Sequence, residues 1–373
     1  MSARLKGVLV SALACVALCF VPAPKLFDSA DGAQTRVARV VEVDSSGVEM
    51  HELVAYGTER LKVELDGKVY DAENELRAQM DLDKRFKPGD RALVSVPPDG
   101  PGGSALVALD HWRIPWIFAL FAAFAALLVW FGGWVGAKAL FSFAFGCLAV
   151  WKLLVPLLLA GWPASPTVFV VVAVLTAVIM HLVAGFTRTG FAAFAGAMLG
   201  VVASLALSHF FTRMIEVNGA TMPFSQALVY SGCERLDLRD LCIGAVVLAS
   251  SGAVMDLAMD IASGVAEVVK HNPSLGFREL LGSGLRIGRA VVGTMTTTLL
   301  LAYSGGFLTL LMVFAAKGTP PVDFLNSTLV SAEVVKTLVG SFGLVLVAPF
   351  TAMVSAATFT RGRGKLAEKE NGQ

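Results

Sequence analysis

Charge is scarce in this chain: Asp, Glu, Lys and Arg make up 16% of its 373 residues, while 55% are hydrophobic. A soluble globular protein needs more polar surface than that to cover itself. The formal net charge of +1 gives no bulk attraction for polyanions, so no nucleic-acid partner is expected. Cysteine is equally sparse and shows no metal or redox spacing. Cys15, Cys19, Cys147 and Cys242 lie in apolar runs and read as small hydrophobes, and Cys233 stands alone in a polar loop, which excludes an intramolecular disulfide framework. Walker loops, HExxH, CxxC and GxSxG patterns are all missing. No enzyme activity, cofactor or bound metal is therefore expected.

What is abundant is apolar sequence in runs long enough to span hydrocarbon, about 20 residues each. The first, residues 7–21, follows Arg4 and Lys6 in the manner of a secretory signal or retained signal anchor. No small-x-small cleavage site follows it, which favours an anchor over residues 1–23. Seven further runs read as spans: 115–131, 135–159, 167–185, 191–211, 241–265, 290–314 and 338–358. The expectation is an α-helical multi-pass membrane protein with about eight spans, its helical domain covering residues 114–358 and a basic tail covering 359–373. Lys152 and Pro156 mark the second of these runs as one that bends or splits, and Pro349 does the same for the last.

Residues 35–110 have a different character. The segment from Arg36 to Val43 alternates apolar and polar residues, as a half-buried strand does. Two further strand-like segments flank Asp66-Gly67, a strong short hairpin signal. A Lys87-Pro88-Gly89-Asp90 turn leads into residues 91–96, and a last strand follows at 105–109. About five short strands predict a small all-β domain, either an OB-like barrel or a plain sandwich. Basic residues at 138, 188, 270–289 and 361–369 place both termini in the cytoplasm and this β domain outside, in a bacterial inner membrane.

The most informative segment is the run from Gly252 to Glu267. At about 100° per residue, Asp256, Asp260, Ser263 and Glu267 project from one helix face within a narrow arc. The next run opens with Arg286 and Arg289 at the same depth and continues through Thr294 and Thr298 toward Tyr303. Gly288 and Gly293 remove bulk there and allow close helix approach. Three readings follow: a polar path for a small solute or ion between these two helices, a structural ion-pair lock between Asp256, Asp260 and the two arginines, or a surface for a protein partner. Beside the lipid bilayer itself, the β domain is another candidate partner site, being larger than a connecting loop requires. His181 and His209 sit singly and read as structural, Met255 and Met259 read as packing, and Glu333 and Lys336 are placed one turn apart to pair.

The ordered series Gly252-Ala-Val-Met-Asp256, Asp260-Ile-Ala-Ser263, Glu267, Asn272-Pro273, Gly288-Arg289, Gly293-Thr294-Met-Thr296, Leu299 to Tyr303, Gly340 to Gly343 and Pro349-Phe-Thr351 resembles the YibE/F family of bacterial multi-pass membrane proteins. The resemblance is sharpest over residues 244–351. It implies a multi-pass membrane architecture, and the family carries suspected transport roles without a defined substrate. Two positions depart from the family pattern: Ala290 stands where an acid often follows Gly-Arg, and Thr297 stands where Asn is often found.

Overall fold

The computed structural model describes residues 33–370 except 99, 102–104 and 234, with only the backbone of 361–370. The expected anchor at 1–23 and the last three residues of the tail lie outside the described residues. The chain divides into two compact units on either side of residues 131 and 132.

The first unit is built on strands β1 (Gln34–Asp44), β2 (Val48–His51), β3 (Val54–Leu65), β4 (Lys68–Arg77), β5 (Arg91–Val96) and β6 (Leu106–His111). Their order is β1-β5-β6-β4-β3-β2, and an additional antiparallel β1–β3 pairing joins the sheet into a ring. All neighbours run antiparallel except β4 and β6. This closed circuit is the Greek-key order of an OB-like barrel, and it removes the sandwich alternative. The hairpin expected at Asp66-Gly67 joins β3 to β4, with Leu65 opposite Lys68. One strand more than expected is present, because Val48–His51 pairs with the start of β3. Alternation produces the core: Leu61, Val63 and Leu65 of β3 point inward with Ala72 of β4, Val94 of β5 and Leu106 of β6.

Inside that barrel sits a buried carboxylate. Glu59 is 1% exposed and accepts hydrogen bonds from Ser45 Oγ at 3.1 Å, Asn74 Nδ2 at 3.1 Å and the Phe86 backbone N–H at 3.4 Å. Asn74 Nδ2 also donates to the Lys84 carbonyl at 2.7 Å. Both partners of that amide nitrogen are acceptors, which fixes the orientation of the Asn74 side chain. The network ties the 84–86 segment to β3 and β4.

The second unit is helical. Helix α1 (Ile114–Leu159) begins in the first unit and continues into this one, with Gly133 off helical geometry at φ 52, ψ −127. It contains a π turn at Val150–Leu154, where the Val155 N–H reaches the Val150 carbonyl just before Pro156. The bend signalled by Lys152 and Pro156 thus takes the form of a widened turn. Then come α2 (Ala164–Ala184), α3 (Arg188–Met214), α4 (Ser225–Tyr230), α5 (Leu238–His271), α6 (Phe277–Gly306), α7 (Leu308–Ala316), α8 (Pro321–Asn326) and α9 (Thr328–Glu370). Asp237 caps α5 by accepting from the Arg239 and Asp240 amides, and Asp240 accepts from the Ser165 amide at 3.0 Å, fastening α5 to the start of α2.

Among the described residues, five helices are long and apolar enough to cross a bilayer, or six if α6 and α7, bent by 62°, form one span. Seven of the eight expected spans fall on the described residues, and they exceed six only because the first two runs lie in one stretch, Ile114–Leu159. The runs at 115–131 and 135–159 lie on either side of Gly133, whose backbone leaves helical geometry within that 46-residue stretch. The 290–314 run is broken at Phe307. The final helix also starts ten residues earlier than the hydropathy run, at Thr328. Glu333 and Lys336 lie inside it and pair at 2.6 Å, which neutralises both charges.

Helices α3 and α9 approach most closely. A Cβ added to Gly196 would lie 2.7 Å from the Thr351 Cα, and one added to Gly343 would overlap Ser204 Oγ. The same seam carries Gly200 against Val347. Positions 196, 200, 204, 208 and 212 are Gly, Gly, Ser, Ser and Thr, a small-xxx-small ridge of the kind that lets helix backbones meet. Helix α9 continues unbroken through Pro349.

Candidate functional site

Helix α5 is two-faced. Val254, Leu257, Ala258, Ile261, Ala262 and Val265 are buried against the other helices. Asp256, Asp260, Ser263 and Glu267 are exposed on the opposite side, within an arc of about 60° at 100° per residue. The common face read from their spacing is therefore present, and in this chain it points away from the bundle. Glu267 pairs locally with Lys270 at 3.4 Å.

Helix α6 packs antiparallel against α5 through glycine and apolar contacts. Cβ atoms placed on Gly284 and Gly288 would lie 3.1 Å from Val265 and 3.2 Å from Ile261, and one on Gly264 would lie 2.8 Å from Ile287. These contacts set Arg289 level with Asp260, and Arg286 level with Ser263. Both arginines are exposed, and Arg286 donates to Ser283 Oγ at 3.0 Å. Among the described residues, neither Asp256 nor Asp260 forms an ion pair with either arginine. The shared depth expected of acids and bases is present, but the seam between the helices is apolar and the charges lie outside it.

The hydroxyl run continues along α6. Thr294 and Thr298 are exposed, with their hydroxyls donating to the Val291 and Thr294 carbonyls at 3.0 Å each. Tyr303 lies elsewhere: half-buried, it directs its hydroxyl toward α9, where a Cβ on Gly340 would be 3.5 Å away. The structure thus brings together two polar stripes, one on α5 and one on α6, and separates Tyr303 from both.

Spacing alone also shows a feature the charged residues overshadowed. Ser204, Ser208 and Thr212 of α3 and Thr351 and Ser355 of α9 are fully buried at the α3–α9 seam, and their hydroxyls have no protein partner. Most helical hydroxyls here bond back to a carbonyl of their own helix, as Thr176 does to Val172. The four-residue period of the ridge is the signal that would have found them.

His181 is half-buried, stacked edge-on to Phe186 at 3.5 Å between ring centroids, and its Nε2 has no protein partner. It borders an apolar cleft of about 400 Å³ between α2 and α3. In the β unit a more polar cleft of about 510 Å³ is lined by Glu42, Asp44, Asp71 and Glu73 with Arg60 and Lys62. Lys62 donates to Glu42 at 2.7 Å, and this hydrogen bond raises its pKa. The Ser46 backbone amide, donating at 2.9 Å, lowers that of Asp44. No group of three or more His, Cys, Asp or Glu side chains able to hold a metal ion occurs among the described residues.

Long apolar helices, an OB-like β unit and charged stripes on two adjacent helices define a helical membrane protein carrying a small barrel. The YibE/F-like protein family matches residues 120–361, and the chain belongs to that family. No curated protein matches it, and no solved structure does.

Proposed function

We propose that this protein is a membrane transporter, a permease whose hydrated path runs along the polar faces of α5 and α6. The observation that carries the reading is the exposure of Asp256 and Asp260 on a helix apolar enough to cross a bilayer. Val254 of α5 packs against Gly200 of α3, and Arg188 opens α3 twelve residues earlier. At 1.5 Å per residue Asp256 therefore stands about 15 Å from the level of that basic end, half the thickness of a ~30 Å hydrocarbon core. A carboxylate at that depth against acyl chains costs about 2.5–3.5 kcal/mol. Such a face is stable beside water or protein. In this role Asp256 and Asp260 take up a proton or cation, Arg286 and Arg289 contact an anionic group, and Thr294 and Thr298 border the route, while Tyr303, turned toward Gly340, stands apart from it. The basic ends of the helices support an orientation with both termini in the cytoplasm and the barrel outside, in a bacterial inner membrane.

Flux into vesicles tests the reading. Asp256→Asn and Asp260→Asn each reduce gradient-driven uptake at least tenfold while leaving the amount of inserted protein unchanged. Full flux in both variants removes these acids from any coupling role.

A second reading treats the protein as a membrane scaffold that holds a partner through the barrel. The cleft bordered by four carboxylates and two cations favours it, because such a surface suits a partner segment of mixed charge. Removal of residues 35–110 then abolishes function, whereas neutralising both aspartates does not.

A further inference from the structure

We propose that the open face of α5 and α6 is an interface between two copies of this chain, related by a two-fold axis along the membrane normal. Asp260 of each copy pairs there with Arg289 of the other. The inference goes beyond transport and stands on charge placement alone, so it holds whether or not a solute moves along the face.

Three observations lead to it. First, the stripes are opposite in sign and both open. Asp256 and Asp260 are exposed on α5, Arg286 and Arg289 are exposed on α6, and no ion pair joins the two sets within the chain. Second, they lie at one level. The contact of Gly288 with Ile261 fixes Arg289 beside the height of Asp260. Rotation about an axis along the membrane normal preserves height, so the acid of one copy meets the base of the other without any shift in depth. The contact is self-complementary, as a two-fold interface requires: α5 meets α6 of the second copy, and α6 meets its α5.

Third, α6 packs on α9 and α5 along one side, where Gly284 and Gly288 meet Ala352 and Ala348, and leaves its outer side open. Only Leu280, Gly284 and Gly288 of its thirty residues are buried, and none of α7 is. Charged side chains inside a membrane face protein or water almost without exception. A lipid-facing arrangement would leave the Asp256 and Asp260 carboxylates against hydrocarbon, and burial against an apolar partner would strand them equally. A second copy offers the opposite charge at the matching height and covers the bare outer part of α6. Asp256 sits one turn from the paired Asp260, toward the middle of the membrane, and stays available to a proton or cation between the two copies.

The test uses the full chain in membranes. Oxidation of a variant carrying Asp260→Cys and Arg289→Cys yields a covalent dimer that neither single variant nor the parent gives. In liposomes at high dilution, single-molecule photobleaching of the parent shows two steps per particle. Asp260→Arg or Arg289→Asp alone weakens the dimer about a hundredfold, as expected when one member of a buried pair is removed, and the two together restore it. Where a charge reversal prevents insertion, Asp260→Asn and Arg289→Gln give the same reading with a smaller effect. One-step bleaching of the parent at all dilutions overturns the proposal. So does a cross-link that forms equally with either single cysteine, or a double exchange that fails to restore dimers lost in the single variants. Dimers that stay intact in both single charge variants refute this interface and leave the transport reading to the flux assay, whereas dimers lost in those variants while Asp256→Asn keeps full flux support the interface and refute the transport reading.

Discussion

Replacing Gly196 by Ala probes the tightest contact in the helical unit. The new Cβ would lie 2.7 Å from the Thr351 Cα and 2.8 Å from its Cβ, and backbone cannot rotate away as a flexible side chain can. Restoring an ordinary carbon–carbon contact near 3.4 Å requires α3 and α9 to separate by about 0.7 Å. A gap of that size removes about a third of the attraction between facing atoms. With about fifty heavy-atom pairs along the seam at about 0.15 kcal/mol each, the loss is about 2.5 kcal/mol. The helix propensity of Ala over Gly returns about 1 kcal/mol, leaving a net destabilisation of about 1.5 kcal/mol. Gly146→Ala is the matched control, since nothing lies within 4 Å of the added atom and only the propensity gain remains. Thermal unfolding of both variants in lipid nanodiscs, followed by retention of a monodisperse particle after heating, measures the difference. Gly196→Ala lowers the midpoint and Gly146→Ala leaves it unchanged or raises it. Equal midpoints for the two variants would refute the packing argument.

Three further outcomes follow from the β unit and the seam. Glu59→Leu strands the buried Phe86 amide and one Asn74 side-chain N–H and destabilises the barrel by about 2–4 kcal/mol, read as faster proteolysis across residues 84–90. Burial raises the Asp110 pKa, but the Arg113 hydrogen bond and the His111 amide outweigh it, so the carboxyl titrates below its usual 3.8. A depressed folded value means that Asp110 contributes stability above the unfolded pKa and loses that contribution as pH falls through the folded one. Asp110→Asn therefore flattens the acid limb of barrel unfolding below about pH 4, measured by circular dichroism against pH. Gly343→Ala, whose Cβ would overlap Ser204 Oγ, is rescued in part by Ser204→Gly in the same nanodisc unfolding assay.

Local patterns in the sequence carried much of this architecture. Period-two alternation and the Asp66-Gly67 turn located the strands, because in a small barrel each strand has one face in the core and one in water. Val48–His51 escaped notice since its four residues are too few to establish a period, and three of them are exposed. Apolar runs marked the helices, but their limits shifted wherever charges neutralise each other, as Glu333 and Lys336 do at 2.6 Å. The common face of Asp256, Asp260, Ser263 and Glu267 was legible because helical geometry alone decides it. Which neighbour that face meets was not, since it depends on how Gly264, Gly284 and Gly288 dock α6 onto α5. The same limit explains Tyr303, which follows the hydroxyl run in sequence yet turns toward Gly340.

The claim on which the account rests is that the carboxylates of α5 do not border acyl chains. Spin labels placed by Asp256→Cys and Asp260→Cys, compared with Val202→Cys on the exposed side of α3 (47% exposed), measure this by electron paramagnetic resonance in the presence of oxygen, which concentrates in lipid. The account predicts low oxygen accessibility at 256 and 260 and high accessibility at 202. Accessibility at 256 and 260 equal to that at 202 would contradict it.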